Sequence, residues 1–212
     1  VWLKFGNQVT NASMTVLSVG VNEGFQWRVP TTGSQPAEFV RRRSSSIVNL
    51  ANGLLRDYSA WYHVVLVNNG GTVTMHLNGD IQQSANRPSP GHNLTIGSNL
   101  PGSQDDRFCG YMADVYFIDG QALLPTAFGR ENDNGVWVPR EIDFDGNWGA
   151  NGFHLTFEDP DDLGHDSSGN GNDFTPNGFN TDPVGIFSNF LTSATGFQGA
   201  LPATGAFDGN GS

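Results

Sequence analysis

Three carboxylates alternate with apolar residues in the stretch Glu141-Ile142-Asp143-Phe144-Asp145. In a strand this spacing would place all three acids on one face. Two carboxyl groups about 5–5.5 Å apart can act as nucleophile and acid/base in the hydrolysis of a glycosidic bond. However, Pro139 precedes the row and the loop sequence GNWGANG follows it, which disfavours a central strand. We therefore predict an acidic surface turn with no catalytic residue, and keep glycan hydrolysis as the alternative.

A second group of oxygen-bearing side chains could bind a cation. Asp166, Asn170 and Asp173 lie within the turn sequence DSSGNGND, and loop oxygens of this kind suit Ca²⁺. The EF-hand pattern D-x-[DN]-x-[DN]-G is absent, and turns rich in Gly, Asn and Ser need these residues for backbone reasons alone. We expect turn chemistry, with structural calcium as the alternative and no other cofactor.

Tryptophan side chains near loops could contact sugars. Trp27, Trp137 and Trp148 all lie near loops or strand ends, and an indole ring stacks well on the apolar face of a sugar. Trp148, flanked by Asn147 and Gly149, is the best candidate for stacking against a glycan. Packing in the core or at an interface is the simpler role for all three.

The remaining reactive side chains predict no further chemistry. The five histidines have no zinc-like spacing. We expect His63 to pack beside Trp61 within the sandwich, and His76 and His154 to lie on a polar strand face. A single cysteine, Cys109, excludes an intrachain disulfide, and its apolar surroundings indicate a small buried side chain.

The elements that would position these residues are strands. The stretch WYHVVLVNNGGTVTMHLNG, residues 61–79, alternates apolar and polar positions around the turn sequences NNGG and NG. This pattern predicts an all-β fold in which two antiparallel sheets pack face to face. Helix content should be small and confined mostly to Leu124–Phe128. We expect the core to contain Trp61 or Tyr62, with Leu66, Val73, Met75, Leu77, Val115 and Phe117.

Length and charge limit the organisation and the partners. The chain has 212 residues and a formal net charge of -11, with only Arg41–Arg43 as a basic run, so nucleic-acid binding is disfavoured. There is no apolar run long enough to span a bilayer. We predict one β-sandwich over residues 1–183.

We predict that residues 184–212 form a separate apolar flank of this sandwich, or a link to a following module. It contains many aromatic and small residues and a single charge, Asp208. Exposed aromatics are costly in a soluble protein, so we expect the flank to pack on its own sandwich or on a neighbouring subunit. The unclosed ends of the chain suggest that it is part of a longer polypeptide.

Three segments carry a family resemblance. They are WYHVVLVNNGGTVTMHLNG, IGSNLPGSQDDRFCGYMADVYFIDGQAL and NGFHLTFEDPDDLGHDSSGNGNDFTPNGF. Together, over roughly residues 55–180, they resemble the concanavalin A-like, laminin-G-like jelly-roll superfamily. Such modules usually begin with strands like GFHLTF, whereas here this strand lies near the C-terminal end. The resemblance therefore implies a permuted module, or one whose N-terminal half lies partly outside this chain.

The order of these segments is most similar to modules of tailed-bacteriophage virion proteins, particularly of marine phages. This resemblance implies a non-enzymatic structural or adhesion module, capsid-attached or tail-associated, at the particle surface. Its partners would be other virion proteins and copies of itself. The alternative that it implies is a carbohydrate-binding lectin module that contacts a host surface glycan.

Overall fold

The computed structural model describes residues 1–5, 13–19, 23–28, 37–43, 46–55, 57, 59–86, 94–98, 107–108, 110–177 and 190–193. The first eight strands are β1 (Trp2–Phe5), β2 (Ser13–Val19), β3 (Glu23–Arg28), β4 (Ala37–Arg43), β5 (Ser46–Leu55), β6 (Tyr62–Asn69), β7 (Thr72–Leu77) and β8 (Asp80–Asn86). The others are β9 (Leu94–Ile96), β10 (Gly110–Ala113), β11 (Val115–Phe117), β12 (Gly129–Glu131), β13 (Trp137–Pro139), β14 (Phe153–Leu155), β15 (Phe174–Asn177) and β16 (Phe190–Ser193).

The fold is an antiparallel sandwich, as predicted. One sheet has the order β10-β1-β6-β7-β8 and the other has the order β15-β16-β9-β2-β3-β4-β5. Two short pairs, β11–β14 and β12–β13, complete the strand set. Within the described residues the only helix is a single 3-10 turn at Pro125–Ala127, inside the predicted segment. None of the described helical residues forms a span long and apolar enough to cross a membrane.

The β6–β7 hairpin confirms the two predicted strands, although β6 runs to Asn69, two residues into the predicted NNGG turn. Its strands pair from Val64 opposite Leu77 to Asn69 opposite Thr72. The following turn has positive φ at Asn78 (50°) and Gly79 (89°), as a two-residue hairpin loop requires. The side chain of Asn78 also accepts a hydrogen bond from the backbone N–H of His63 at 2.8 Å, which fixes the turn against β6.

The core lies between the two sheets and combines residues from both. Tyr62 is 7% exposed whereas Trp61 is 40% exposed, so the tyrosine is the core residue of that pair. Leu66 and Phe117 are half-buried and pack against the core. The remaining predicted members are buried, and the cluster also includes Leu3, Phe5, Met14, Val16, Phe25, Ile96, Met112, Phe153 and Leu155.

The C-terminal third of the described chain contributes strands to the seven-stranded sheet and to the short β11–β14 pair. β14, from the GFHLTF segment, pairs antiparallel with β11 of the GYMADVYF segment. β16, which belongs to the predicted flank, pairs with β15 and β9 in the seven-stranded sheet. The rest of the flank lies outside the described residues, and a domain boundary near residue 183 stays a prediction. Cys109 and the side chains of Trp27 and Arg41–Arg43 are also outside the described part.

Candidate functional site

Aromatic rings cover the face of the five-stranded sheet that points away from the core. The rings of Trp2 and His63 stack with centroids 4.6 Å apart, and Trp137 lies parallel to His63 at 6.1 Å. The Trp137 indole N–H donates a hydrogen bond to His63 Nδ1 at 3.0 Å. The prediction that His63 packs beside Trp61 within the sandwich was therefore wrong. Strand alternation turns His63 to the face opposite Tyr62, where Trp2 and Trp137 enclose it.

Enclosure in this layer determines the charge of both sheet histidines. Burial lowers the pKa of His63 to about 2, so the ring is neutral and its Nδ1 accepts a hydrogen bond from the indole N–H. His76 is only 8% exposed, and burial lowers its pKa as well. Its Nδ1 has no hydrogen-bond partner. We predicted a polar face around His76, which was wrong because this side of the sheet is covered rather than solvated.

A second aromatic group, the Trp148 cluster, lies where β11 and β14 pair. Its members are Tyr116, Phe144, Trp148 and His154. Tyr116 lies opposite His154 in register, and their rings stack at 4.2 Å. Trp148 lies parallel to both rings, at 6.3 Å from Tyr116 and 5.9 Å from His154, and Phe144 meets it edge-on at 4.6 Å. His154 is therefore in an aromatic environment rather than on the predicted polar face.

One carboxylate lies within this group. His154 Nε2 is 3.2 Å from Asp114 Oδ1, and Asp114 has a positive φ of 50° at the break between β10 and β11. Burial raises the pKa of the Tyr116 hydroxyl, and the charge and hydrogen bond of Asp114 add to that effect. Both rings beside Trp148 are thus held by a contact to the same carboxylate.

The tryptophan loop, residues 146–152, is fixed to the sandwich by two asparagine side chains. Asn170 Nδ2 donates to the carbonyl oxygens of Gly149 and Gly152, at 2.7 and 2.9 Å. Asn172 Nδ2 donates to those of Ala150 and Gly152, at 3.1 and 2.8 Å. Four hydrogen bonds from one turn therefore hold the loop that presents the indole ring.

Asp166 organises the turn that supplies these asparagines. It is 3% exposed, and its two oxygens accept four hydrogen bonds, from the N–H groups of His154, Ser168 and Asn172 and from the Ser168 hydroxyl, at 2.8 to 2.9 Å. Burial alone would raise the pKa of this carboxyl, but these hydrogen bonds outweigh it and the pKa falls below its usual value.

The three calcium candidates are brought together by this turn. Asp173 Oδ1 accepts a hydrogen bond from the N–H of Asp166 at 2.9 Å, and Asn170 supports the tryptophan loop. In the part of the chain that the structure describes, no group of three or more His, Cys, Asp or Glu side chains could hold a metal ion. Their visible role is turn chemistry, and structural calcium stays a prediction.

The acidic row lies on an exposed, irregular segment between β13 and β14. Glu141, Asp143 and Asp145 are all exposed, whereas the intervening Ile142 and Phe144 are half-buried. The predicted surface position of the row is therefore confirmed. Asp143 pairs with Arg140 at 3.3 Å, while Asp145 accepts a hydrogen bond from Gln121 Nε2 at 2.9 Å. The two carboxylates are thus engaged with different partners.

A rim of polar side chains surrounds the tryptophan loop, and of its members the sequence patterns singled out only Asp145. Gln121 Nε2 also donates to the carbonyl oxygen of Asn147 at 3.2 Å. Asp119 Oδ2 accepts from Asn151 Nδ2 at 2.8 Å, and the Asp119 N–H donates to the carbonyl oxygen of Trp148 at 2.9 Å. We call Asp119, Gln121, Asp145, Asn147 and Asn151 the polar rim. Their only sequence signal is the clustering of Asp, Asn and Gly in two separate loops.

Comparison with known proteins identifies the superfamily. Residues 1–126 match a laminin G-like family model described as the concanavalin A-like lectin/glucanases superfamily. This chain belongs to that superfamily. Among solved structures, a proposed carbohydrate-binding protein from Bacteroides ovatus aligns at 18% identity and a TM-score of 0.38, over 54% of this chain and 34% of its own. The alignment thus spans about a third of that protein. A search of curated proteins found no match.

Proposed function

We propose that this chain is a non-enzymatic glycan-binding module and that Trp148 stacks against the sugar. The observation that carries the proposal is the indole itself, which is half-buried on a loop held by four asparagine hydrogen bonds. A rigid ring with part of its surface in water loses little conformational freedom when a ligand binds. Membership of a superfamily that includes lectins supports the same function.

The polar rim supplies the hydrogen-bonding groups that sugar recognition also needs. A sugar presents apolar C–H faces and a ring of hydroxyl groups, so its site combines an aromatic surface with a few placed hydrogen-bonding side chains. The rim contains two carboxylates and three amides within the loops that contact Trp148. Carboxylates accept and amides both donate and accept, which suits hydroxyl groups as partners.

The absence of catalysis in this proposal rests on the acidic row. A retaining glycosidase needs two carboxyl groups about 5–5.5 Å apart on either side of the scissile bond. Asp143 and Asp145 are exposed on an irregular segment and contact Arg140 and Gln121, respectively. The hydrogen bonds from Gln121 and from the Asn147 N–H lower the pKa of Asp145, whereas a general acid needs a raised pKa.

The biological setting that we propose is the surface of a phage particle. There, several copies would be displayed on the capsid or tail, beside other virion proteins, and would contact a host surface glycan. The order of the three resembling segments supports this setting. Display in many copies would compensate for a weak single site, because linked sites bind with a raised effective concentration.

Glycan arrays with matched tryptophan variants test the binding function. Trp148→Ala should lower binding to the best glycan at least tenfold, since stacking on an indole is lost. Trp61→Ala is the control, because Trp61 is 40% exposed at the start of β6 and belongs to neither the Trp148 cluster nor the polar rim. Equal binding by both variants would place the site elsewhere. No binding by the wild type at high density would favour a purely structural module.

The setting requires a separate measurement. Mass spectrometry of purified particles should detect this chain in many copies, and an antibody against residues 1–183 should label the particle surface. Particles that lack the chain would contradict the virion setting and leave the glycan-binding result unaffected.

A further inference from the structure

The hydrogen-bond donors of the polar rim are turned towards the rim itself. Gln121 Nε2 donates both of its protons, to Asp145 Oδ1 at 2.9 Å and to the carbonyl oxygen of Asn147 at 3.2 Å. Asp119 Oδ2 accepts from the backbone N–H and from Nδ2 of Asn151, at 3.3 and 2.8 Å. The amide protons of Gln121 and one of those of Asn151 are therefore unavailable to a ligand.

The rim atoms that remain are mainly acceptors. Among the described residues, no hydrogen bond reaches Asp119 Oδ1, Asp145 Oδ2 or the side-chain oxygens of Gln121 and Asn151. The remaining side-chain donors are Asn147 Nδ2 and the second proton of Asn151 Nδ2. Each free oxygen has lone pairs that can accept, and an ionised carboxylate can only accept. A ligand that satisfies this rim must therefore contribute donors.

The charges around Trp148 favour the same kind of ligand. The segment 140–152 carries three carboxylates and one cation, Arg140. Arg140 Nη2 lies 3.3 Å from Asp143, so this cation is already paired. Asp119 adds a further carboxylate from a second loop, and the whole chain has a net charge of -11. The electrostatic potential at the site is therefore negative, which attracts cations and repels anions.

The indole ring contributes the same preference. The face of an aromatic ring is electronegative, so it attracts an ammonium group placed above it and repels a carboxylate. Trp148 is half-buried, and the N–H of Asp119 donates to its carbonyl oxygen at 2.9 Å, which places a rim carboxylate beside the tryptophan loop. An ammonium group has three donors and no acceptor, which matches the free atoms of the rim.

We propose that the Trp148 site selects sugars by charge. It binds amino sugars with a free ammonium group most tightly and neutral sugars less tightly, and it rejects uronic acids and sulfated sugars. A carboxylate or sulfate on the ligand would meet the free oxygens of the rim with no donor between them, and such unpaired like charges are costly. This selectivity rests on the glycan-binding function proposed above, and Asp119 and Asp145 determine it.

Matched sugars test the order of affinity. The best glycan on the array is prepared with its terminal sugar in three forms: the hexose, the hexosamine with a free amine, and the uronic acid. Calorimetry at low salt should give the hexosamine a Kd about threefold below that of the hexose, and the uronic acid a Kd about threefold above it, as expected for exposed charges. High salt should reduce both differences, because it screens exposed charges.

Three variants separate the site from the charge of the whole protein. Asp119→Asn/Asp145→Asn should bring the three Kd values within about twofold of one another, because the amides keep the shape of the carboxylates and lose their charge. Asp80→Asn/Asp133→Asn makes the same change in net charge at exposed positions on β8 and in the β12–β13 turn, and it should keep the order. Trp148→Ala should weaken binding of all three forms.

The possible contrary results distinguish the two proposals. A uronic acid that binds as tightly as its hexose, or an order that Asp119→Asn/Asp145→Asn leaves unchanged, overturns the selectivity and leaves glycan binding intact. An order that survives Trp148→Ala would come from the acidic protein as a whole, and it would overturn the selectivity too. If no glycan binds to the wild type, the glycan-binding function fails and the selectivity fails with it.

Discussion

At the scale of single residues, Asp166 contributes most to the candidate site. Its carboxylate binds the backbone of its own turn and the N–H of His154 in β14, so one side chain joins the turn to a strand. The same turn carries the asparagines that hold the tryptophan loop. We therefore expect Asp166 to control both local stability and the orientation of Trp148.

Asp166→Asn tests this role without changing the size of the side chain. The amide NH₂ cannot accept, so at least one of the N–H or O–H donors around it is left buried and unpaired. We expect a loss of about 2–4 kcal/mol in the free energy of unfolding, because hydrogen bonds to a charged acceptor contribute about 1.5–3 kcal/mol each. Urea denaturation measures this loss in the free energy of unfolding.

Asp161→Asn is the matched control, because Asp161 is exposed and changes the net charge equally. Its effect on the free energy of unfolding should stay within about 0.5 kcal/mol.

The carboxylate form of Asp166 is the stabilising one, so the wild type should lose this contribution as the pH falls through the lowered pKa of Asp166. Equal stability of the two variants would show that the turn does not depend on the carboxylate.

At the scale of elements, the β12–β13 hairpin is held to the sheet by one tryptophan. The Trp137 ring lies against Gly79 and Gly129, where an added Cβ would be 2.6 Å from ring atoms at both positions. Its N–H donates to the buried His63. The hairpin therefore covers the outer face of the sheet because two glycines leave room for the indole.

Gly129→Ala should detach this hairpin. The new methyl group collides with the indole, and the hydrogen bond to His63 is lost, so we expect destabilisation of about 2–3 kcal/mol. The indole N–H resonance of Trp137 should also move to the position of a solvent-exposed indole. Gly146→Ala is the control: it has a positive φ of 80° but nothing within 4 Å of its Cβ, so only backbone strain of about 1 kcal/mol applies. Unchanged stability of Gly129→Ala would contradict the contact.

The same elements show what the sequence could and could not predict. The alternation in β6 and β7 predicted the two strands and their core face, because successive residues of a strand point to opposite faces. It could not show what covers the other face. His63 was predicted to lie within the sandwich and His76 on a polar face, yet Trp137, 74 positions further along the chain, encloses His63 on the outer face. Contacts between residues so far apart along the chain leave no local pattern in the sequence.

The candidate site, too, could be predicted only in part from the sequence. Trp148 and the turn containing Asp166 were visible because glycine-rich and asparagine-rich turns have strong local preferences. The connection between them was not, since it depends on amide side chains that reach about 20 residues along the chain. The polar rim as a group depends on the fold that brings its two loops together, so it could not be predicted before the strand order was known.

At the scale of the whole molecule, the buried neutral histidines make folding sensitive to acid. Burial lowers the pKa of His63 in the folded protein to about 2, from about 6.5 in an unfolded chain, and it lowers the pKa of His76 as well. The unfolded chain therefore binds more protons than the folded one at mildly acidic pH. Stability is complete above pH 6.5 and is lost as the pH falls below it, towards the folded pKa.

Denaturation between pH 7.5 and pH 5 measures this effect before most carboxylates titrate. Below about pH 6.5 the free energy of unfolding should fall by up to roughly 1.4 kcal/mol per pH unit for each buried histidine that titrates only in the unfolded state. His63→Gln should be less stable at pH 7.5 but should show a shallower slope, because one proton-binding difference is removed. His165→Gln is the control for the substitution itself, since the His165 side chain is 61% exposed. Two results would contradict this prediction: a wild-type stability that is constant from pH 7 to pH 5, or a His63→Gln slope equal to that of the wild type. Either result would show that His63 is protonated in the folded protein and that the aromatic layer is open to water.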